Sequence, residues 1–513
     1  MSTDRTRHIS TKEIIVHNYL GKDVFASLVV FLVALPLSIG IALASGAPVS
    51  AGIIAAICGG ILVGIFGGAP LLVSGPAAGL TVMVFGFIQE FGFQTTCMIG
   101  VAAGLLQIVA GLSKTARVAL AISPAVIHGM LAGIGILIIL SQIQVVMGFS
   151  PLGNAWLNIA AIGKKFPDAS LATLMMGLLT VVAIVVWQKI PSKNLKLIPA
   201  QLVAVALATL VSVVMALDVP RVVFSESIFQ AIQIPSLPHD INLVSFIVAA
   251  ISLNIVASTE SLLSAIATDK LHRGPRANLD RELVGQGIAN VVSGMMGGLP
   301  VTGVIVRSAA NIAAGAQSWL SAFLHGIWIL LFVTQLSFII VHVPLAALAG
   351  LLIFVGYRLI DPQHIRELKR RGELSIYLAT IVGVVGINLL AGIGIGIALA
   401  VFRLLRNMSY LNVKVDSSGK EVDVNISGAL TFLGVPKVNT ALSEIPSGTH
   451  VKVDFALDII DHAGFEAIHD WKTNHKNTGG TVKMESLEDI WNENRHSAAR
   501  KKSGGLHKTR VFN

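Results

Sequence analysis

Two stretches of the chain interrupt long apolar runs with the same pattern of glycine and proline. Residues 58–79 read CGGILVGIFGGAPLLVSGPAAG, and residues 288–304 read IANVVSGMMGGLPVTGV. Each contains Gly-Gly-x-Pro, then a few apolar residues and an abbreviated helical stretch. A helix that begins inside a membrane has first amides without carbonyl partners and positive partial charge at that end. Two such ends facing each other would suit an anion.

The amides expected at these two helix starts can be named. We predict that the first half-helix begins near Ala77 and the second near Val301. The predicted anion-binding backbone is Ala77, Ala78, Gly79, Thr302, Gly303 and Val304. Glycine-mediated helix packing is the alternative interpretation, and it explains the glycines but not the two matching interruptions.

Side chains near the interruptions complete the predicted anion site. Ser74 and Thr302 offer hydroxyl groups. Arg307 follows the second interruption, and a buried arginine at membrane depth is unfavourable unless it faces a cavity. The alternative for Arg307 is a cation that snorkels or faces a loop. Pro36, in the first apolar segment, is expected to bend its helix and free a carbonyl group.

Glu260 is the only acidic residue between Asp240 and Asp269, so it falls in the middle of an apolar segment. An ionisable residue at membrane depth is a functional candidate by default. Glu260 could take a proton, or it could bind Na⁺ with Ser264 and backbone carbonyls of the second interruption, because hard cations prefer oxygen ligands. A purely structural pairing with Arg307 is the alternative.

The composition makes lipid the main solvent of this chain. Hydrophobic residues make up 54% of the chain and charged residues 13%, whereas a soluble protein carries about a quarter charged residues. We find no metal-ligand cluster, phosphate-binding loop or nucleophile–base pair in the sequence, so we predict no enzyme, and no cofactor apart from Na⁺ as a coupling ion. The net charge is +9, but the basic residues do not form the aromatic-rich patch that is typical of a nucleic-acid-binding protein.

A helix needs about 20 apolar residues to cross a membrane. Fourteen segments are predicted on that basis, and the third and tenth are too short to cross alone. They are 24–44, 51–67, 78–91, 96–112, 123–147, 169–189, 198–217, 242–267, 282–296, 302–315, 318–337, 343–357, 373–388 and 390–407.

The basic residues predict the orientation of these segments. With the N-terminus in the cytoplasm, the loops on that side carry fourteen Lys and Arg against three on the other side. We therefore predict a multi-pass protein of the inner (plasma) membrane with both termini in the cytoplasm. Seven segments separate the two interruptions, an odd number, so the two halves are predicted to be inverted repeats, which transporters often contain.

Four motifs in this order resemble the SulP (sulfate permease) family, the relatives of the solute carrier 26 anion transporters: ALPLSIGIALASG, SGPAAGLTV, STESLLSAIATD and GGLPVTGVIVRSAANI. The resemblance covers roughly residues 20–405. It implies an all-α membrane domain of seven plus seven segments, divided into core and gate, that moves by an elevator-like shift. It also implies a homodimer and an anion held between the third and tenth segments, with Arg307 beside it.

In bicarbonate-transporting members, an Asp of the eighth segment binds Na⁺ with a hydroxyl residue one turn later and with backbone of the tenth segment. The matching positions here are Glu260, Ser264, Gly303, Val304 and Ile305. Glu replaces that Asp in this chain, so both Na⁺ and H⁺ stay open as the coupling ion.

The tail resembles a STAS domain, the cytoplasmic α/β module of these transporters. EVDVNIS at 421–427 alternates as a strand does, VKVDFA at 451–456 and TVKME follow as strands, and helices are expected at about 435–444 and from IDHAG to about 475. Asp461 precedes His462 and Ala463 where related antagonists carry a phosphorylated Ser, so phosphorylation of this loop is not expected. We leave open whether a cytoplasmic partner binds this module.

The predicted organisation is a cytoplasmic segment at 1–22, a transport domain at 23–408, a short STAS-like domain at 411–492 and a disordered basic tail at 493–513. The predicted function is secondary active transport of a small inorganic anion, bicarbonate or sulfate, coupled to Na⁺ or H⁺. Alternatives are a dicarboxylate carrier, a nucleobase–proton symporter of the same fold, disfavoured because 302–316 contains no acid, and an anion channel or STAS-linked scaffold.

Overall fold

The computed structural model describes residues 11–116, 123–152, 154–191, 198–224, 228–232, 234–236, 242–408, 410–417 and 421–484. The chain divides into two compact units, Met1–Ile397 and Ala398–Asn513. The predicted tail at 493–513, the end of the predicted STAS-like domain and the first ten residues lie outside the described residues. The three predicted boundaries between these four segments therefore stay predictions.

The first half of the membrane unit is built from apolar helices and one short strand. Helix α2 continues through a π-helical turn at Gly59–Val63 to Phe66, and a 3₁₀ turn at Ala78–Leu80 precedes α3. The elements are α1 (Thr11–Ala44), α2 (Val49–Cys58), β1 (Ser74–Pro76), α3 (Thr81–Phe91), α4 (Phe93–Leu112), α5 (Pro124–Val146), α6 (Ala155–Lys165), α7 (Leu171–Lys189) and α8 (Ala200–Val214).

The second half repeats the theme of helices around a short strand. A one-turn helix at Ile228–Ala231 precedes it, and a 3₁₀ stretch at Ser337–His342 follows α12. The elements are α9 (Leu243–Leu271), α10 (Leu279–Met295), β2 (Val301–Gly303), α11 (Ile305–Ala313), α12 (Trp319–Gln335), α13 (Leu345–Leu359), α14 (Pro362–Arg370), α15 (Leu374–Gly386) and α16 (Leu389–Met408).

Six of the described helices are long and apolar enough to cross a membrane: Leu20–Ala44, Val49–Phe66, Phe93–Leu112, Pro124–Val146, Leu171–Lys189 and Leu243–Leu271. Several shorter apolar helices accompany them, including Ala78–Phe91 and Ala200–Val214. Each of the fourteen predicted segments overlaps a described helix. The chain is thus a mostly helical, multi-pass membrane protein, while the count of fourteen crossings stays a prediction.

The membrane unit is not purely helical, which corrects the all-α prediction for this part of the chain. Strands β1 and β2 pair antiparallel, with Ser74 opposite Gly303, Gly75 opposite Thr302 and Pro76 opposite Val301. The Gly-Gly-x-Pro stretches stop the helices, and backbone groups at membrane depth then need partners from elsewhere. Each interruption supplies partners for the other, so the two halves of the chain meet in one small sheet.

Glycine allows α4 and α10 to pack closely beside this sheet. A Cβ at Gly104 would stand 2.7 Å from the Gly287 carbonyl oxygen, and one at Gly287 would stand 2.5 Å from that of Gly104. Such distances are too short for a side chain. Glycine-mediated helix packing therefore occurs at this contact, at two glycines that lie outside the interrupted stretches 58–79 and 288–304.

The second unit is a four-stranded sheet with helices packed against it. The strand order is β3 (Leu411–Asp416), β4 (Val422–Leu430), β5 (His450–Ile460) and β6 (Thr481–Met484), with β3–β4 antiparallel and the other pairs parallel. Helices α17 (Val435–Ser443) and α18 (His462–Asn477) contribute Val438 and Ile468 to its apolar core. The predicted α/β pattern of this region is confirmed, although β3 was not predicted.

Candidate anion site

The first half-helix begins close to its predicted position. Ala77 is extended, the 3₁₀ turn Ala78–Leu80 follows, and α3 starts at Thr81. The amide of Leu80 donates to the Ala77 carbonyl at 3.3 Å. Ala78 and Gly79 therefore lie in the first turn, where amides have no carbonyl partner within the helix.

The second half-helix begins later than predicted, at Ile305 instead of near Val301. Strand β2 occupies the intervening residues and uses their amides. The amide of Val304 donates to the Val73 carbonyl at 2.9 Å, and that of Gly303 donates to Ser261 Oγ at 3.1 Å. The amides without helical partners are consequently those at the start of α11, Ile305 to Arg307, which corrects the predicted set of Thr302, Gly303 and Val304.

Arg307 is fully buried and only partly hydrogen-bonded. Its Nη2 donates to Ser38 Oγ at 3.0 Å and to the Pro76 carbonyl at 3.3 Å. Nε and Nη1 have no hydrogen-bond partner among the described residues. Nη1 lies against Gly75, where a Cβ would stand 2.3 Å away. The alternative of a snorkelling or loop-facing cation is therefore wrong.

Ser38 is a site residue that the sequence reasoning missed. It lies two positions after Pro36, and its hydroxyl donates to the Ala34 carbonyl at 2.7 Å while accepting from Arg307. Pro36 itself is buried inside α1, which runs as one α-helix from Thr11 to Ala44. A proline within the helix thus marks the stretch of α1 that holds the guanidinium.

Glu260 lies at the amino end of the first half-helix. A Cβ at Gly79 would stand 2.5 Å from Glu260 Oε1, so the carboxylate lies directly against the Gly79 backbone. Oε2 of Glu260 is buried and has no partner in the described part of the chain, where no ion pair with Arg307 occurs either. Glu260 and Arg307 therefore do not form the structural ion pair that was the alternative interpretation. The helix end supplies positive partial charge instead.

The other predicted cation ligands surround Glu260 unevenly. Ser264 lies one turn further along α9 and is 8% exposed. The Val304 carbonyl accepts from both the amide and the hydroxyl of Ser308, at 3.0 and 2.8 Å, so its two lone pairs are used. Gly303 ends β2, and Ile305 begins α11. Of these three backbone positions, Val304 is the least suited to binding a cation.

One face of α10 holds the first interruption in place. Glu282 is fully buried, and its Oε2 accepts from the amides of Gly68 and Ala69 at 2.9 Å each. Its Oε1 accepts from Gln286 Nε2 at 2.8 Å, and the same nitrogen donates to Ser74 Oγ at 2.7 Å. The hydroxyl oxygen of Ser74, predicted to contact the anion, thus faces α10, and the direct contact stays a prediction.

The same face of α10 holds the second interruption. Asn290 Oδ1 accepts from the Val301 amide at 2.6 Å, and Asn290 Nδ2 donates to the Val301 carbonyl at 2.9 Å. Ser293 Oγ donates to the Leu299 carbonyl at 2.7 Å. Glu282, Gln286, Asn290 and Ser293 recur at helical spacing. This periodic polar face was the available signal in the sequence, and the sequence reasoning missed it.

Glu282→Ala is expected to destabilise the fold. It leaves the partly buried amides of Gly68 and Ala69 without their acceptor and leaves Gln286 Nε2 with Ser74 Oγ alone. An unsatisfied buried donor costs about 1–3 kcal/mol. Thermal unfolding of the detergent-purified protein should show a clearly lower Tm than for wild type. Glu90→Ala, at an exposed acid of α3, is the control and should leave Tm unchanged. Equal Tm values for the two variants would contradict the role of Glu282.

A small cavity, partly open to solvent, lies beside the start of α3. Thr81, Val82 and Phe85 of α3 line one side, and Leu137 and Ser141 of α5 belong to its other walls. Because Thr81 is the first residue of α3, the cavity reaches the amino end of that half-helix. Neither Arg307 nor Glu260 belongs to the lining of this cavity, so the cavity meets the predicted site at the start of α3.

Together, the apolar helices, the two interrupted segments and the buried guanidinium define a membrane transporter. Solved structures share this fold. The transmembrane domain of a cyanobacterial bicarbonate transporter, BicA, is 29% identical with a TM-score of 0.67, and the match covers 73% of this chain and 97% of that one. The overall structure of SLC26A9 is 15% identical with a TM-score of 0.75, and the match covers 96% of this chain and 88% of that one.

The chain belongs to the sulfate permease family, which matches residues 20–381. A putative sulfate transporter of Bacillus subtilis, YvdB, is 30% identical over 400 residues, 76% of this chain and 74% of the relative. The bicarbonate transporter BicA of Synechocystis is 30% identical over 429 residues, 81% of this chain and 75% of the relative. The family resemblance inferred from the sequence is confirmed, and the protein is an anion transporter and not an enzyme.

Proposed function

We propose that this protein is a secondary active transporter of a small inorganic anion, held between the amino ends of α3 and α11. The observation that carries this proposal is Arg307, a fully buried guanidinium with two nitrogens that have no hydrogen-bond partner among the residues the structure describes. A buried cation without its partners is unfavourable. An anion between the half-helices would supply the missing acceptors, and the amides of both helix starts would share its charge.

Bicarbonate is the substrate we favour, with sulfate second. Arg307 is the one basic side chain assigned to the site, and a single positive charge balances a monovalent anion more closely than a divalent one. The relatives include transporters named for each of the two anions.

Glu260 is proposed to carry the coupling ion, a proton or Na⁺ held together with Ser264, Gly303 and Ile305. The support is its position: the free Oε2 and the neighbouring Gly79 put a carboxylate beside the amides proposed for the substrate. A bare carboxylate would repel an incoming anion, and a bound cation would cancel that repulsion. We further propose fourteen crossings in a seven-plus-seven repeat, elevator-type movement, a homodimer, and cytoplasmic termini in the plasma membrane.

The second unit is proposed to be the STAS-like regulatory module. Asp461 caps α18 by accepting from the Gly464 amide at 2.8 Å, and its other oxygen accepts from the Phe432 amide at 2.7 Å. Asp461 therefore holds the loop, and the two residues that follow it, His462 and Ala463, carry no hydroxyl group. This agrees with the expectation that it is not phosphorylated.

Uptake into liposomes tests the proposed transport. The purified protein should concentrate radiolabelled bicarbonate, and sulfate less well, only when a Na⁺ or pH gradient is imposed. Varying the two gradients separately identifies the coupling ion. Uptake that never exceeds the outside concentration would indicate a channel, and no uptake of either anion would contradict the proposal.

A further inference from the structure

The second edge of β2 is held by the two helices that flank it. One edge pairs with β1, and backbone amides alternate in direction along a strand. The outward amides are those of Val301 and Gly303. The first donates to Asn290 Oδ1 of α10, and the second donates to Ser261 Oγ of α9 at 3.1 Å. The strand that leads into α11 is therefore fixed by one side chain from each helix.

Ser261 directly follows Glu260 on α9 and is fully buried. Its hydroxyl contacts the residue two positions before the start of α11. The proposed cation-binding acid and the proposed anion-binding amides are thus joined through one residue of α9 and one hydrogen bond. A small shift of α9 at Glu260 would move the start of α11 directly.

A second path joins the same elements. Ser258, two residues before Glu260, accepts from Gln107 Nε2 at 3.2 Å, and Gln107 Oε1 accepts from Asn290 Nδ2 at 2.7 Å. Asn290 in turn holds both polar backbone groups of Val301. Gln107 and Asn290 are buried. This path is longer than the one through Ser261 and ends at Val301, two residues further from α11 than Gly303.

We propose that Ser261 is a positioning residue that couples the occupancy of Glu260 to the anion affinity of the α11 amides. The inference rests on the proposed function, because it requires both sites. When a proton or Na⁺ reaches Glu260, the carboxylate relaxes its contact with Gly79. Ser261 passes the resulting movement of α9 to Gly303, and the amides of α11 turn toward the anion. Coupling between two sites is reciprocal, so the anion raises the affinity for the cation by the same factor.

The test measures bicarbonate affinity of the purified full-length protein by calorimetry, with and without Na⁺ and at two pH values. The ratio of the two affinities is the coupling factor. Ser261→Ala should lower that factor about two- to tenfold, the range expected for one hydrogen bond. The affinity without the cation should change less than about twofold. Ser252→Ala is the matched control, because this buried hydroxyl of α9 donates only within its helix, to the Val248 carbonyl.

The outcomes are distinct. A coupling factor that falls in Ser261→Ala and not in Ser252→Ala supports the inference. If Ser261→Ala keeps the wild-type coupling factor, the inference is rejected. It is also rejected if Ser261→Ala loses bicarbonate affinity equally with and without the cation. A wild-type protein without any coupling factor rejects the proposed coupling together with this inference. If Ser261→Ala does not fold, Ser261→Cys replaces it, because a thiol of similar size is a weak acceptor for the Gly303 amide, and an unchanged factor there rejects the inference.

Discussion

Arg307→Ala is expected to weaken anion binding about 10- to 100-fold, because a hydrogen bond to a charged group contributes about 1.5–3 kcal/mol. The variant removes the buried charge and both unpaired nitrogens at once. The measurement is the dissociation constant for bicarbonate and for sulfate, together with uptake into liposomes. Because Ser38 and the Pro76 carbonyl lose only one shared donor, the protein should still fold.

Two further variants serve as controls for the Arg307→Ala result. Arg366→Ala removes an exposed cation of α14 and should leave affinity unchanged. Arg307→Lys keeps the charge but loses the planar fork of donors, so its affinity should fall between wild type and Arg307→Ala. Unchanged affinity in Arg307→Ala would remove this residue from the site, and a loss in Arg366→Ala as large as in Arg307→Ala would point to a general charge effect.

Glu260→Gln is expected to abolish concentrative uptake while the protein stays folded. The amide matches the carboxylate in shape, but it neither takes up a proton at neutral pH nor balances a cation. Anion exchange across the membrane without a gradient should persist, because the amide no longer repels the substrate. Radiolabelled uptake and counterflow in the same liposomes separate the two activities.

The control for Glu260 is Glu90→Gln, an exposed acid at the far end of α3, which should transport as wild type does. Wild-type concentrative uptake in Glu260→Gln would show that the carboxylate has a structural role. Loss of exchange together with uptake would mean that Glu260 is needed for substrate binding, which also contradicts the proposed division of roles.

The sequence revealed the residues that depart from the composition or the periodicity of the segments around them. Arg307 and Glu260 are charges within apolar stretches, and such residues carry an energetic penalty that points to function. Each of the two Gly-Gly-x-Pro interruptions breaks the helical periodicity of its segment. These signals need only a few neighbouring residues, and the structure places all of them around β1, β2 and α9.

The start of the second half-helix could not be found in this way. Its position at Ile305 depends on the pairing of β2 with β1, which lies in the other half of the chain. Local sequence continues as a plausible helix from Val301, and only the partner strand decides otherwise. The amides of Gly303 and Val304 were therefore assigned to the anion although protein acceptors use them.

The polar face of α10 was missed for a related reason. Glu282 and Gln286 lie one turn apart near the start of a helix, which also fits an ordinary amphipathic surface. Their role appears only when their partners are known, and these are Gly68, Ala69 and Ser74 of the first half. Strand β4 of the second unit was easier to predict, because its alternation of buried and exposed residues is visible within the strand. Strand β3, whose burial does not alternate, was missed.

The pairing of β1 with β2 restricts how an ion can be released. The two broken segments are joined by main-chain hydrogen bonds and by side chains of α10. Separating them would leave backbone polar groups without partners in the hydrocarbon region of the membrane. This pairing supports the proposed elevator-type movement, in which both broken segments would shift together past neighbouring helices that stay in place. On that proposal the anion crosses the bilayer by a sliding movement of the paired segments.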